Sequence, residues 1–451
     1  MNFPVPDGLA ARDYQLVGAQ HLVRNNACLL ADEPGTGKTI QVALALNAAA
    51  PGIPIFIGCP ETLMINWMRE LSKWLVTPRT VGLASAKHTP DTEIIIANYD
   101  IFPKLTGLFR QRAFAIAVLD EGHRIKTPGS QRTQAAGLIQ AGHRWILSGT
   151  PILNRPIEAW PLLWWLMRER VMEYGIYAKH FCNAHLRDIW VKRKNKQGVV
   201  EAQKKKVWSL DGAAHLDELH AYLVQEAHML RRRKIDVLTE LPDKQHQVIE
   251  LNAERVRKLL KNEARQADRL GGYEAAIAAL QDSEKAVGFE EFTDVRHELG
   301  LAKMDPAVEF IEDALQEEPK VVVFCHHRDV LAGLLESLKA YHPVCVWGGM
   351  TAGNKDHMVQ QFQNNPDVRV FIGNDAACEG LTLTAASRCI FVELDPVPGR
   401  MEQFEDRLHR IGQKSAVLVQ ALVFSESLDV RLIKLLWSKS KVIDQAVNGG
   451  E

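Results

Sequence analysis

Short apolar runs separated by helix-like stretches recur in two parts of the chain. In the first part the runs are Ala27–Ala31, Pro54–Gly58, Glu93–Ala97, Ala115–Leu119 and Arg144–Ser148. In the second part they are Lys320–Cys325, Val344–Trp347, Val368–Gly373, Arg388–Leu394 and Val417–Val423. Runs that are apolar on both faces are typical of parallel strands with helices packed on each side of the sheet. The pattern therefore predicts an α/β fold with two parallel-sheet lobes in tandem.

The stretch between these two parts, residues 158–298, lacks this strand rhythm. It contains apolar residues three or four positions apart, as on one helical face. These residues are Leu216, Leu219, Leu223, Ala227 and Leu230. The stretch 252–281 is rich in strong helix formers. We therefore expect a first lobe at residues 1–165, helical insertions and a linker at 166–302, and a second lobe at 303–451.

Composition narrows the class of protein. The chain has 451 residues, 46% of them hydrophobic and 24% charged, which excludes wholesale disorder. Lys and Arg number 54 against 55 Asp and Glu, so any nucleic-acid contact must come from local patches. The seven cysteines form no C-x-x-C pair, and the apolar run Trp160–Met167 is shorter than the ~20 residues that cross a bilayer. We expect a cytoplasmic protein with reduced thiols and no membrane partner.

A glycine-rich loop follows the first predicted strand. It consists of Asp32, Glu33, Pro34, Gly35, Thr36, Gly37, Lys38 and Thr39. In a strand–loop–helix unit of this kind, backbone amides and the helix N-terminus bind phosphates. Lys38 would contact the β- and γ-phosphates, and the Thr39 hydroxyl would hold Mg²⁺. Asp32 stands where such loops usually have their first glycine, but the intact Gly-Lys-Thr still predicts a site for ATP and Mg²⁺.

An acidic pair, Asp120 and Glu121, follows the predicted strand Ala115–Leu119. Because the carboxyl ends of parallel strands lie at one edge of a sheet, we expect this pair to lie near the phosphate loop. Asp120 would anchor Mg²⁺ through water, and Glu121 would take a proton from the water that attacks the phosphate. The two motifs together predict hydrolysis of ATP.

Further motifs carry a resemblance to a known family. They are Arg12–Gln15, Cys59–Leu63 with Asn66 and Trp67, Ala97–Asp100, Asp120–Lys126, Leu147–Pro151, Glu379–Ala386 and Gln403–Gln413. Taken in order with the phosphate loop, they resemble the Swi/Snf family of DNA-translocating ATPases in helicase superfamily two, over almost the whole chain. The resemblance implies two RecA-like lobes, ATP and Mg²⁺ as nucleotide and metal, and double-stranded or forked DNA as partner.

The resemblance also implies roles for single residues. Arg12 and Gln15 would bind the adenine, and Gly380 and Gln403 would contribute to the nucleotide site from the second lobe. Arg407 and Arg410, which share one face if their segment is helical, would reach the γ-phosphate across the cleft. The residues that would couple the nucleotide to DNA are His123, Ser148, Gly149 and Thr150. Those that would contact DNA are Pro60, Thr62, Asn66, Asn98, Tyr99 and Thr382.

Within the family, three stretches are most similar to the annealing-helicase group: His215–Leu223, Met229–Leu238 and Arg296–Lys303. We expect a monomeric motor that remodels DNA or DNA–protein complexes, with other DNA-metabolism proteins as further partners. A strand-separating helicase on DNA or RNA is the first alternative. A nucleic-acid-binding scaffold without hydrolysis is the second, and the presence of Lys38 and Glu121 disfavours it.

Two basic runs have two interpretations each. Val191–Val207 carries seven Lys and Arg residues against one acid, Glu201, and is either a solvated loop or an arm that follows the phosphates of DNA. Arg231–Lys234 is expected to end a helix, where the helix dipole favours cations, with a contact to DNA as the alternative.

Overall fold

The computed structural model describes residues 3–152, 155–194, 200–210, 212–281, 289–374, 377 and 380–434. Its strands are β1 (Ala27–Leu30), β2 (Ile55–Cys59), β3 (Val81–Leu83), β4 (Ile94–Asn98), β5 (Phe114–Asp120), β6 (Ala141–Leu147), β7 (His185–Lys194), β8 (Val200–Ser209), β9 (Met229–Leu230), β10 (Lys244–Leu251), β11 (Val321–Phe324), β12 (Val344–Val346), β13 (Val370–Gly373), β14 (Arg388–Phe391) and β15 (Val417–Phe424). Each of the ten predicted apolar runs overlaps one of these strands.

The helices cover both faces of the sheets. They are α1 (Asp13–Arg24), α2 (Lys38–Asn47), α3 (Met64–Trp74), α4 (Thr106–Gln111), α5 (Gln131–Gly137), α6 (Trp160–Met167), α7 (Tyr174–Phe181), α8 (Leu216–Gln225), α9 (Lys234–Val237), α10 (Arg257–Arg269), α11 (Tyr273–Gln281), α12 (Phe289–Ala302), α13 (Met304–Glu317), α14 (Arg328–Ser337), α15 (Ala352–Asn364) and α16 (Pro398–Glu405). No helix among the described residues is long and apolar enough to cross a membrane.

The first lobe is built on a seven-stranded parallel sheet in the order β3-β4-β2-β5-β6-β1-β9. Its central strands are buried on both faces, and alternate residues belong to two separate cores. Leu29 faces the core on one side with Phe56 and Trp165, and Leu30 faces the core on the other side with Trp67. The sheet therefore brings the ends of β1, β5 and β6 to one edge, where the predicted motifs begin.

The second lobe is built on a six-stranded parallel sheet in the order β10-β15-β14-β11-β13-β12. Two cores again cover its faces, one around Phe324 and Phe391, the other around Val323 and Ile390. The predicted α/β class with two parallel-sheet lobes is thus confirmed.

The expected lobe boundaries differ from the sheets. The segment 166–302 is not only helical: β9 belongs to the first sheet and β10 pairs with β15 of the second along its whole length. The apolar pattern missed β10 because the first four residues of this edge strand, Lys244–Gln247, are all polar, and it missed β9 because two residues show no period. Residues 435–451 of the expected second lobe lie outside the described residues.

Both basic runs of this segment differ from one of their two interpretations. In Val191–Val207 the described residues do not form a loop, because 191–194 lie in β7 and 200–207 lie in β8, which pair antiparallel. Residues 195–199 lie outside the described residues, and the contact of this run with DNA stays a prediction. Arg231–Lys234 does not end a helix, because α8 stops at Gln225 and Leu230 lies in β9. The run therefore follows a strand of the first sheet, lies beside the phosphate loop and ends at the start of α9 rather than at the end of a helix.

Candidate active site between the two lobes

The glycine-rich loop joins β1 to α2 in the predicted strand–loop–helix unit. Gly35 and Gly37 have φ angles of 87° and 80°, in the left-handed region that favours glycine. Gly37 is the N-cap of α2 and no side chain caps the helix, so its first amides stay available to an anion. The Lys38 ammonium donates to the carbonyl of Asp32 at 2.7 Å and bends back over the loop. The geometry fits a phosphate chain.

The predicted adenine-binding residues lie against this loop. The Gln15 side chain is buried, accepts from the Arg12 amide at 3.0 Å and donates to the Thr36 carbonyl at 3.4 Å. The Tyr14 hydroxyl donates to the same carbonyl at 2.8 Å. Arg12 itself lies nearer the surface, where it pairs with Glu240 at 2.5 Å. The structure thus brings Gln15 to the glycine-rich loop and places Arg12 nearer the surface, and their contacts with adenine stay predictions.

The acidic pair lies at the end of β5, as predicted. One Asp120 oxygen accepts from the Trp67 indole at 2.9 Å and the other accepts from the Glu121 amide at 2.9 Å. An ionised carboxylate has about four lone-pair positions, so two remain for water bound to a metal ion. Burial and the Glu121 carboxylate raise the pKa of Asp120 to about 7, against the lowering effects of Trp67 and Lys38. A cation at this place would relieve that repulsion.

Glu121 has the features of a reactive carboxylate. Its φ of 50° is in the left-handed region, a strained conformation for glutamate that persists where the surroundings enforce it. Its side chain is buried, and Oε2 has no hydrogen-bond partner among the described residues. A buried carboxylate oxygen without a hydrogen bond is costly, and a water molecule that donates to it would satisfy it.

The predicted coupling residues form a chain of contacts from Glu121 to the second lobe. His123 Nδ1 lies 3.4 Å from Glu121 Oε2 and 3.4 Å from the Ser148 hydroxyl. Gly149 packs so tightly on Pro34 of the phosphate loop that a Cβ there would lie 2.5 Å from the proline ring.

The second lobe reaches this chain through Gln403. Its amide donates to the Thr150 hydroxyl at 2.8 Å, and both side chains are buried. We expected Gln403 to bind the nucleotide, but its side chain is engaged with the coupling residues. Its hydrogen bond to Thr150 therefore links the two lobes directly.

The two arginines of the second lobe, Arg407 and Arg410, do not lie on a helix, so they do not share the predicted helical face. Helix α16 ends at Glu405, so Arg407 and Arg410 lie in the turns that follow it. Arg410 lies against the phosphate loop, since a Cβ on Gly35 would be 2.6 Å from the Arg410 Cβ. Burial and the neighbouring Arg407 lower the pKa of Arg410 to about 10. The Arg410 guanidinium donates to the Leu381 carbonyl at 2.9 Å and the Arg407 guanidinium donates to the Gln403 carbonyl at 2.8 Å, so both side chains are held by the second lobe.

The expected DNA-contacting residues have mixed positions. Tyr99 is buried and its hydroxyl donates to the Asp120 carbonyl at 2.7 Å, so its side chain is turned towards the acidic pair, and its contact with DNA stays a prediction. Asn98 caps the following turn by accepting from the amides of Asp100 and Ile101. Its role in DNA binding stays a prediction.

The remaining expected contacts lie near the junction of the lobes. Gly380 lies against Leu63 and Thr62, because a Cβ on Gly380 would be 3.0 Å from the Thr62 hydroxyl oxygen. Pro60 is buried, whereas Asn66 and Thr382 are half-buried. The contacts of all these residues with DNA stay predictions.

Sequence reasoning missed several residues of this site. Trp67 was named only as part of a family motif, yet it donates to Asp120 at 2.9 Å. Arg231, Arg232 and Lys234 were assigned to a helix end or to DNA, and they instead contact the phosphate loop and the second lobe. The available signal was a basic run directly after the apolar pair Met229–Leu230. This pair can be identified as the end of a strand only when its pairing with β1 is known.

Comparisons with known proteins agree with this architecture. A model of the SNF2-related domain matches residues 14–286, and a model of the helicase conserved C-terminal domain matches residues 302–412. The DNA annealing helicase and endonuclease ZRANB3 of Mus musculus is 31% identical over 458 residues, which are 95% of this chain and 40% of that protein.

Two further similarities are of the same kind. The SWI/SNF-related matrix-associated actin-dependent regulator of chromatin subfamily A-like protein 1 of Xenopus tropicalis is 28% identical over 440 residues, or 94% of this chain and 43% of that protein. The chain thus spans about two fifths of the length of these relatives. The solved Sulfolobus solfataricus SWI2/SNF2 ATPase core in complex with dsDNA is 22% identical, with a TM-score of 0.45 and coverage of 100% of this chain and 96% of that chain.

Proposed function

Because the chain belongs to the SNF2-related family, we propose that it is a DNA-dependent ATPase that moves along double-stranded DNA and remodels DNA or DNA–protein complexes. Similarity to a DNA annealing helicase over 95% of the chain supports remodelling or annealing of forked DNA as the task. Further proteins of DNA metabolism are proposed as partners, and the motor is proposed to act as a monomer.

The contact between Arg410 and the phosphate loop carries this proposal. Arg410 comes from the second lobe and Gly35 from the first, so this contact exists only while the cleft is closed. A guanidinium at this place would stabilise the negative charge that grows on the γ-phosphate as its bond to the β-phosphate breaks. Closure of the cleft and hydrolysis of ATP would thereby depend on each other.

The other steps are assigned to residues of the first lobe. Glu121 Oε2 would accept a proton from the attacking water. The oxygen of that water would bond to the γ-phosphorus while the bond to ADP breaks and ADP leaves. Lys38 would hold the β- and γ-phosphates, and Gln15 would contact the adenine. Mg²⁺ held by Thr39 and Asp120 would neutralise part of the phosphate charge.

Movement requires that binding and hydrolysis of ATP change how tightly the lobes hold DNA. The chain Glu121–His123–Ser148 and the Thr150–Gln403 hydrogen bond join the reacting region to both lobes. Loss of the γ-phosphate would release Arg410 and let the lobes part, a switch of the kind found where a phosphate holds a segment in place. Each cycle would advance the motor by about one nucleotide, roughly 3.4 Å.

The test compares ATP turnover on duplex DNA, forked DNA, single-stranded DNA and RNA, with triplex displacement and strand separation measured in parallel. We expect stimulation by duplex and forked DNA and displacement of a triplex strand without separation of the duplex. Strand separation together with stimulation by single strands would favour the helicase alternative. DNA binding with no turnover above that of Glu121→Gln would favour the scaffold alternative.

A further inference from the structure

A short basic stretch, Arg231–Lys234, lies beside the phosphate loop. It directly follows β9, which pairs with β1, and so it runs along the same edge of the sheet. Backbone hydrogen bonds continue this pairing past the strand: the Ala31 amide donates to the Leu230 carbonyl at 2.7 Å, and the Glu33 amide donates to the Arg232 carbonyl at 3.1 Å. The stretch is therefore an extension of the sheet along the loop that binds phosphate.

Arg231 joins the phosphate loop to the coupling residues. Its guanidinium donates to the Ala31 carbonyl at 2.7 Å and to the Gly149 carbonyl at 2.9 Å. Gly149 also packs on Pro34. The segment that contains Gly149 and the start of the phosphate loop are therefore joined by two contacts, one through Arg231 and one through Pro34.

Arg232 explains the aspartate at the first position of the loop. Asp32 is fully buried, and Arg232 donates to both its oxygens, at 2.9 Å and 2.5 Å. Arg232 also donates to Gln41 at 2.8 Å and lies 5.3 Å from the ring of Tyr14. A buried carboxylate requires such a partner, so Asp32 and Arg232 are expected to act as one unit.

Lys234 connects the two lobes. Its backbone amide donates to Glu33 Oε2 at 2.7 Å, while its ammonium donates to Asp406 at 2.5 Å and to the His409 carbonyl at 2.8 Å. Both charged groups are buried. Asp406 immediately precedes Arg407, and His409 immediately precedes Arg410. One lysine thus holds the backbone that carries both arginines and at the same time contacts the phosphate loop.

We propose that Lys234 is a positioning residue for ATP hydrolysis, which sets Arg407 and Arg410 against the phosphate loop through Asp406 and His409. This inference rests on the proposed function. When the lobes part, Asp406 keeps Lys244, whose ammonium lies 3.6 Å from it, whereas Lys234 loses its carboxylate partner. The ion pair therefore stabilises the closed cleft and has no equivalent in an open one.

The test measures single-turnover hydrolysis on saturating duplex DNA and the affinity for a fluorescent ATP analogue. Lys234→Met should slow hydrolysis at least about tenfold while nucleotide affinity changes less than about threefold, since coupling between sites is worth about 5–150-fold. Arg233→Ala is the matched control, because this neighbouring arginine is exposed and pairs locally with Asp236. The control should hydrolyse ATP at the wild-type rate.

Two further variants separate positioning from folding. Asp406→Asn should slow hydrolysis to a similar degree, and the double variant should be little slower than either single one, because both remove the same contact. Lys234→Met in an Arg410→Ala background should likewise add little. Normal hydrolysis by Lys234→Met, or equal losses in hydrolysis and in nucleotide affinity, would overturn the assignment. Wild-type protein without turnover would instead contradict the proposed function, so the two failures are distinguishable.

Discussion

Each lobe has a carboxylate just past the carboxyl end of a central strand, but the two carboxylates differ in their hydrogen bonds. In the first lobe, Glu121 follows β5 and keeps one buried oxygen without a hydrogen bond among the described residues. In the second lobe, Glu393 lies two residues past β14 and accepts from the amides of His326 and His327 at 2.8 and 2.9 Å and contacts the His327 ring at 2.6 Å. One carboxylate is left able to react, and the other is held by its neighbours.

The pKa values follow the same division. Burial and Glu121 raise the pKa of Asp120 to about 7. Burial alone would also raise the pKa of Glu393, but its hydrogen bonds and its contact with His327 outweigh that effect and lower the pKa to about 2. The comparison teaches that two similar sheets acquire different roles from the hydrogen bonds at their edges, and it predicts chemistry at Asp120 and Glu121 and structural support at Glu393.

The largest effect is expected where the second lobe does contribute to chemistry. Arg410→Ala should lower hydrolysis by about 10³–10⁵, the range found for arginines that act on a transferred phosphate, while ATP and DNA still bind. Arg410→Lys should restore little, because an ammonium lacks the planar two-pronged contact. Single-turnover hydrolysis on saturating DNA, compared with nucleotide affinity, measures this. A variant that lost DNA binding and hydrolysed ATP normally would remove Arg410 from the active site.

The next effect compares the two strand-end carboxylates directly. Glu121→Gln should lower turnover by about 10²–10⁴, as expected for loss of a general base, with ATP still bound. Glu393→Gln should leave turnover per folded molecule within about threefold of wild type, because Glu393 is already occupied by hydrogen bonds. DNA-stimulated ATPase assays on both variants check this. Similar losses in both would contradict the division between the lobes.

A smaller effect concerns stability and pH. Since the folded pKa of Glu393 lies near 2, below its usual 4.5, its contribution to stability is present above about pH 4.5 and is lost as pH falls towards 2. The shift corresponds to about 3 kcal/mol for the second lobe. Thermal unfolding of wild type and Glu393→Gln should therefore differ most near neutral pH, and the gap should narrow in acid. A gap that widened in acid would show that the sign is wrong.

The smallest effect is expected at an exposed contact between the lobes. Arg69 on α3 donates to both oxygens of Asp356 on α15 at 2.7 Å, but this pair is largely exposed to water. Such pairs contribute about 0.2–1 kcal/mol. Arg69→Ala should change DNA-stimulated turnover less than about fivefold, well below the effect of Lys234→Met. A larger loss would make the exposed pair, and not the buried one, the main link between the lobes.

Local patterns determined much of this protein. Apolar runs such as Ala115–Leu119 are short and continuous, so the sequence alone indicated buried parallel strands. Two motifs could be interpreted from their sequence neighbours alone: the Gly-Lys-Thr of the loop and the pair Asp120–Glu121. The first lies at the start of a helix and the second at the end of a strand, so local structure sets their positions. The edge strand β10 could not be predicted in this way, because its first four residues are polar and only its pairing with β15 identifies it as a strand.

Contacts between distant residues were decided by the tertiary structure alone. Nothing near Asp32 in the sequence indicates that Arg232, 200 positions away, neutralises it. Lys234 meets Asp406 across 172 positions, and Tyr99 turns inward to Asp120 where a family motif suggested an exposed contact. A charged residue carries the same local signal on a solvated surface and in a buried pair. Only the fold determines which partner removes its charge from water, and with it the role of the residue.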